Sequence, residues 1–212
     1  MDSFEVFEST DGETFEPAPI TDFDANPHAA GGITFLLLID NSGSMYDTIE
    51  GEETEQISEQ RVTAARQAIS EFLESIDNPL DQVGLASFNT YYRRLLEPTS
   101  STEEVETALE EIEEPSQDEA FTELYRAITM ATEDLAAVPG RKVLVVLSDG
   151  ENYPFATYRE ESHPSYEEDI VEAEAALEAL RREGIGAFAV NFATTGDPQL
   201  VDIVNESGGL LY

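Results

Sequence analysis

The sequence contains no cysteine and a single lysine, Lys142. Without cysteine there can be no disulfide, no thiolate metal site and no cysteine nucleophile. Nine arginines join that lysine, so ten basic residues face 46 Asp+Glu and the formal net charge is −36. A broad basic surface is therefore excluded, and with it binding to nucleic acid or to an anionic membrane, which needs clustered Lys and Arg. No apolar stretch approaches the ~20 residues of a membrane span, so no direct membrane insertion is expected. The first ten residues, MDSFEVFEST, have neither a basic n-region nor an apolar h-region, and no signal peptide is expected in this chain. There is no H-E-x-x-H, no P-loop and no G-x-S-x-G.

Hydrophobic residues nevertheless make up 41% of the chain, and they recur in dense runs. Disorder, the usual fate of acidic chains poor in apolar residues, is thereby excluded. An acid-rich, lysine-poor surface suits a protein kept soluble in concentrated salt, where screening removes self-repulsion. It equally fits an acidic surface in an ordinary organism.

Phe4 to Ile20 alternates apolar and polar residues around Asp11-Gly12, which reads as a β-hairpin or a pair of extended strands. Thr21 to Gly32 carries Pro27 and Gly31-Gly32 and reads as a linker, so residues 1–31 form an N-terminal segment and 32–212 the main domain. Ile33 to Ile39 is a short apolar run of the kind buried on both faces of a parallel sheet. Val62, Ala65, Ile69, Phe72, Leu73 and Ile76 follow at helical spacing, closed by Asn78-Pro79. Val83 to Phe88 and Tyr91 to Leu96 read as strands hairpinned together. Ser101-Thr102-Glu103-Glu104 is a capping box opening a short helix to about Glu113. A longer helix is expected from about Phe121 to Val138. Lys142 to Leu147 is a second fully apolar strand. Ser165-Tyr166-Glu167-Glu168 is a second capping box, with its helix ending at Gly184. Ile185 to Asn191 is a strand, Pro198 starts a short helix, and Leu210 to Tyr212 is a last strand. Glu151 to Pro164 is the longest connection without periodicity, and such loops are often functional. His28 and His163 are single, far apart in sequence, and read as surface or loop residues. Strands alternating with helices imply one α/β domain, doubly wound, with helices on both faces of a mostly parallel sheet.

In such sheets ligands sit beyond the carboxyl ends of the strands, where the strand order reverses. The two most apolar strands each run directly into a carboxylate, Asp40 and Asp149. The first continues as Asp40-Asn41-Ser42-Gly43-Ser44, a carboxylate and two hydroxyls at alternating positions, with Gly43 permitting a tight loop. Carboxylate, hydroxyl and water oxygens are ligands for a hard cation such as Mg²⁺. A coordination position left open could be completed by an acidic group from a partner.

The stretch Phe35-Leu36-Leu37-Leu38-Ile39-Asp40-Asn41-Ser42-Gly43-Ser44-Met45 resembles the first strand and metal loop of a von Willebrand factor type A domain. That family has a metal-ion-dependent adhesion site with a D-x-S-x-S motif, a Thr on a second loop and an Asp on a third. Phe121-Thr122-Glu123-Leu124-Tyr125-Arg126-Ala127-Ile128 is similar to the family's second motif, and Leu147-Ser148-Asp149-Gly150-Glu151 to its third. One departure is Ala120-Phe121, since the family commonly has Gly just before the Thr. The resemblance implies a Rossmann-like sheet with one antiparallel edge strand, a role Tyr91 to Leu96 would fill. It also implies that Ser42, Ser44 and Thr122 offer hydroxyls to the ion, with Asp40 and Asp149 acting directly or through water. Mg²⁺ is the expected ion, and Mn²⁺ or Ca²⁺ are alternatives. Asn41, Asn152 and Tyr153 are expected at the ligand-binding rim, and Met45 beneath the metal loop as packing.

The function this implies is non-enzymatic: an adhesion-type module whose bound cation is completed by the carboxylate of a protein ligand. Its expected location is the cell surface, the periplasm or outside the cell. Two alternatives stand beside it. One is a scaffold or assembly subunit of a larger complex, with a purely structural metal. The other is a Mg²⁺-dependent phosphoryl hydrolase with Asp40 as nucleophile. Such an enzyme wants a second carboxylate where this chain has Ser42, and a Lys near the phosphate.

Overall fold

Residues 6–8, 16–18 and 31–212 are described by the computed structural model, and the chain divides into two compact units, Met1–Ala30 and Gly31–Tyr212. In the first unit β1 (Val6–Glu8) pairs antiparallel with β2 (Glu16–Ala18), Val6 opposite Ala18. The remainder of that unit, with the Asp11-Gly12 turn, Pro27 and His28, lies outside the described residues.

The second unit is built on a five-stranded sheet. β3 (Ile33–Asp40), β4 (Gln82–Phe88), β5 (Tyr92–Thr99), β6 (Arg141–Ser148) and β7 (Gly186–Asn191) lie in the order β5-β4-β3-β6-β7. β4 and β6 flank β3 in parallel, β7 runs parallel to β6, and β5 closes the other edge antiparallel to β4. The mostly parallel sheet with one antiparallel edge strand is as the sequence predicts. Six helices accompany it: α1 (Arg61–Glu74), α2 (Thr102–Glu110), α3 (Leu124–Ala136), α4 (Phe155–Arg159), α5 (Ala173–Glu183) and α6 (Pro198–Glu206).

The apolar run of β3 is explained by its position. Successive side chains of a strand point to opposite faces, and here both faces are covered. Leu36 and Leu38 enter one core with Leu124 and Ile128 of α3, Leu180 of α5 and Ile203 of α6. Leu37 and Ile39 enter the other with Val62, Ile69 and Leu73 of α1 and Val105 and Leu109 of α2. Met45 is wholly buried in that second core, beneath the loop that follows β3. Truncating a residue such as Leu37 or Phe88, each almost inaccessible, costs roughly 2–5 kcal/mol.

Several ends follow the local signals. The Ser101 side chain accepts the Glu104 N–H at the start of α2, Asp197 accepts the Gln199 N–H with Pro198 opening α6, and Gly184 ends α5 in the left-handed region. Others are overridden by tertiary bonds. α3 starts at Leu124, not near Phe121, because Thr122 exchanges both backbone hydrogen bonds with Tyr153 at 2.9 Å. No helix starts at the Ser165 capping box, and α5 begins only at Ala173. Ser165 and Tyr166 donate their N–H groups to Nδ1 of His163 (3.1 and 3.3 Å), and the Glu168 carbonyl accepts from Arg126 at 2.6 Å. The 151–164 connection holds a short helix, α4, that carries no periodicity of its own. Leu210 to Tyr212 forms a single parallel bridge, Ala189 to Leu211, instead of a strand. Among the described residues no helix is long and apolar enough to cross a membrane.

Candidate metal centre

The strand order reverses beside β3. The chain leaves β3 for β4 on one side and later returns to β6 on the other. The carboxyl ends of β3 and β6 therefore form a crevice between diverging loops, and Asp40 and Asp149 stand in it.

Asp40 is fully buried at the last position of β3. Its Oδ1 accepts the Ser42 N–H at 2.8 Å, and its Oδ2 accepts the Ser148 hydroxyl at 2.6 Å. That hydroxyl in turn accepts the Gly150 N–H at 2.9 Å, tying the ends of the two central strands together. Burial pushes the Asp40 carboxyl up to about 7, and the negative charge of Asp149 adds to the rise against the bonds from Ser148 and Ser42.

Residues 43–46 form a short 3₁₀ turn that folds the loop back on itself. It brings the Ser42 and Ser44 hydroxyl oxygens to 3.3 Å from one another. Gly43 lies against the second loop, donating its N–H to the Ala120 carbonyl at 3.0 Å. A Cβ there would stand 3.2 Å from the Ala120 Cβ, a tight contact that glycine avoids where the two loops approach. Thr122 is buried and is held by its ladder with Tyr153. Ser44 and Thr122 line one cleft of about 210 Å³ together with Ala120, Glu151 and Tyr153.

Asp149 follows β6 and is buried. Its Oδ2 accepts from Arg61 Nη1 at 2.7 Å, with the two side chains only 2% and 9% exposed. Gly150 adopts φ +78° beside Gly196 and Asp197, which lets the third loop turn back toward the second. Of the five residues expected at the ion, Ser44 and Thr122 line the cleft, Ser42 contacts Ser44, and Asp40 and Asp149 are buried at the ends of the two central strands. Of the three rim residues, Tyr153 lies at the cleft, 37% exposed. Asn152 lines a neighbouring cleft of about 420 Å³ that also touches Arg61, Asp149 and Glu151, and its Oδ1 accepts the Leu124 N–H at 3.0 Å. Asn41 is not on the rim. It is buried, its Oδ1 accepts from the Tyr46 hydroxyl (2.7 Å), and its Nδ2 donates to the Glu113 carbonyl (2.9 Å), so its amide braces the loop from behind.

The donor set and its charge suit a divalent cation. Asp40 and Asp149 are both buried, and the one guanidinium here pairs with Asp149 alone, so the Asp40 carboxylate, once deprotonated, has no cationic partner and a divalent ion would supply one. Two hydroxyl residues lie at the cleft above them. Among the described residues no three His, Cys, Asp or Glu cluster as a metal site. Ligation here would rest on hydroxyl and water oxygens as much as on carboxylates, the donors hard cations accept.

Three buried ionisable residues near this centre escape a reading by motif. Arg61 begins α1, and its partner is 88 residues away. The one local hint is a basic residue in a helix's first turn, against the dipole. Glu123 is buried and accepts the Phe155 N–H at 2.9 Å while facing Arg126 Nε at 3.3 Å, pinning α4 to the start of α3. His163 is a loop residue but not a surface one. Its ring is enclosed, with Nε2 3.0 Å from the Thr90 carbonyl. Outside the crevice wall, Phe121 stacks on Tyr153 at 5.9 Å and meets Phe155 edge-on at 5.2 Å, forming an aromatic flank to the cleft.

Solved structures share this architecture at low identity. An aerotolerance-related membrane protein from Bacteroides fragilis NCTC 9343 is similar at 20% identity, with 85% of this chain and 90% of that chain covered and a TM-score of 0.62. The PilB minor pilin from Streptococcus sanguinis is similar at 15% identity over 93% of this chain and 58% of that chain, TM-score 0.61. The vWF domain of the type V pili tip protein Mfa5 from Porphyromonas gingivalis is similar at 13% identity over 86% and 90%, TM-score 0.59. No curated protein sequence matches the chain. A family model described as von Willebrand factor type A domain matches residues 35–151, more than half of the chain, from within β3 to the start of the third loop. The chain belongs to the von Willebrand factor type A domain family.

Proposed function

We propose that this domain is a non-enzymatic protein-binding module whose contact with its partner runs through a divalent cation. Asp40, Ser42, Ser44, Thr122 and Asp149 hold the ion, Mg²⁺ first and Mn²⁺ or Ca²⁺ as alternatives, and a carboxylate of a protein ligand completes its coordination. The observation that carries the reading is the donor set of the crevice: two buried carboxylates, of which Arg61 pairs with one only, beside the hydroxyl residues Ser44 and Thr122 of the cleft. Pilus proteins among the structural neighbours, a minor pilin and a pilus tip protein, are consistent with a surface, periplasmic or secreted setting.

Calorimetric titration with Mg²⁺ or Mn²⁺ tests the site. Saturable binding is expected in the natural chain and loss of it in an Asp40→Ala/Ser42→Ala variant. Unchanged affinity in that variant sinks the assignment. The scaffold reading, with the ion only structural, is separated by partner capture with and without EDTA, because an ion-bridged contact is lost on chelation. Phosphoryl hydrolysis is disfavoured by a specific feature. Both Asp40 oxygens are engaged and the residue is inaccessible, which does not suit a nucleophile. Lys142 stands near the start of β6, at the end of the strand away from Asp149.

A further inference from the structure

We propose that Arg61 is a built-in counter-charge for Asp149, a positioning residue that sets how strongly this centre takes a divalent cation; the inference rests on the metal reading above. Arg61 does not sit there by helix logic, because a cation in the first turn opposes the helix dipole. It is held by specific acceptors. Nη1 donates to Asp149 Oδ2 at 2.7 Å and to the Ser44 carbonyl at 3.2 Å, and Nη2 reaches the Ile49 carbonyl at 3.4 Å. Its backbone N–H donates to the Asp47 carbonyl at 3.1 Å. Gly51, at φ +83°, passes so close that a Cβ there would lie 3.3 Å from Nη2.

One side chain thus ties the first metal loop, the 47–51 turn and the third loop together. Among the described residues Asp149 pairs with no other basic group. A guanidinium keeps its charge at every accessible pH. Fixed on one oxygen of a carboxylate proposed to serve the ion, it repels that ion through a medium that screens poorly. Arg61 therefore does two opposed things. It keeps Asp149 placed when no metal is bound, and it weakens the attraction for the metal that arrives.

The test is titration of Mg²⁺ and of Mn²⁺ into the natural chain, Arg61→Gln and Arg61→Lys. Removing the charge while keeping a donor is expected to tighten binding by about tenfold or more, and lysine, which keeps the charge, to stay within about twofold of the natural chain. Equal or weaker binding by Arg61→Gln overturns the inference and leaves Arg61 a mere brace, while the metal reading survives on the natural chain's own binding. Binding by Arg61→Gln alone supports the inference in its strongest form, and binding by none of the three overturns both readings. A metal-free arm reads the pair directly. Urea unfolding in EDTA of Arg61→Gln, Asp149→Asn and the double variant is expected to show the double less destabilised than the two singles together, since it leaves no unpaired buried charge. Should Arg61→Gln alone fail to fold, the double variant is expected to fold. Strict additivity, or a double variant that stays unfolded, overturns the counter-charge role.

Discussion

Asp40 is the residue on which the centre turns, because it is a carboxylate placed where water does not reach. Its pKa, raised from 3.8 to about 7 chiefly by burial, means that the metal-free folded protein holds a proton the unfolded chain has released. The stability tied to that proton is fully present below pH 3.8 and is lost as pH rises through about 7. In EDTA, the natural chain is therefore expected to lose more urea resistance between pH 5 and 7.5 than Asp40→Asn does; equal losses in the two contradict the assignment. Gly150 gives a second residue-scale prediction. Its φ of +78° and a Cβ that would lie 3.1 Å from the Asp197 nitrogen make Gly150→Ala destabilising by roughly 1–3 kcal/mol, read as a lower thermal midpoint. The five proposed ion-site residues are legible in the sequence because four lie within a few residues of the ends of the two most apolar strands and Thr122 falls in a recognisable motif. Arg61 and His163 are not legible. What they touch, 88 and 73 residues away, is decided by the fold and leaves no periodic trace.

At the scale of elements, the second and third loops act as one piece. Thr122 and Tyr153 exchange backbone bonds, and Asn152 satisfies the first N–H of α3 in place of a local capping side chain. Asn152→Ala should cost about 1 kcal/mol of stability, the usual worth of a cap. It should also weaken cation binding, since Thr122 is held by the same segment. Unchanged cation affinity in a folded Asn152→Ala contradicts this coupling. The same segment explains where local signals fail. The five strands of the main sheet, α2, α6 and the end of α5 could be read from apolar runs, caps and glycine, because nothing competes with those signals. The Ser165 capping box could not, because the Ser165 N–H that the Glu168 side chain would bond in such a box is taken by His163, and α3 gives up its first residues to the bridge with Tyr153. His163→Leu removes that acceptor. It is expected to make the 160–172 segment more readily cleaved by added protease, with a lower thermal midpoint. Cleavage at the natural rate would show that the ring does not hold the loop.

Over the whole molecule the charge of −36 constrains what the site can meet. A carboxylate-bearing partner approaches against long-range repulsion, which screening removes as the Debye length falls from ~10 Å at 0.1 M salt to ~3 Å at 1 M. Affinity for an acidic partner is thus expected to hold or rise with salt, measured by titration in KCl; a steep fall would mark a basic partner instead. Thermal stability should rise with salt for the same reason, as crowded carboxylates cease to repel. A divalent cation between the first, second and third loops is what the proposed function requires. Diffraction from crystals grown in Mn²⁺, recorded at the manganese absorption edge, tests it most directly. A single strong anomalous peak is expected at the cleft lined by Ser44 and Thr122, within reach of Ser42, Asp40 and Asp149. A cleft without a peak at saturating Mn²⁺, or a peak only elsewhere on the acidic surface, would contradict it.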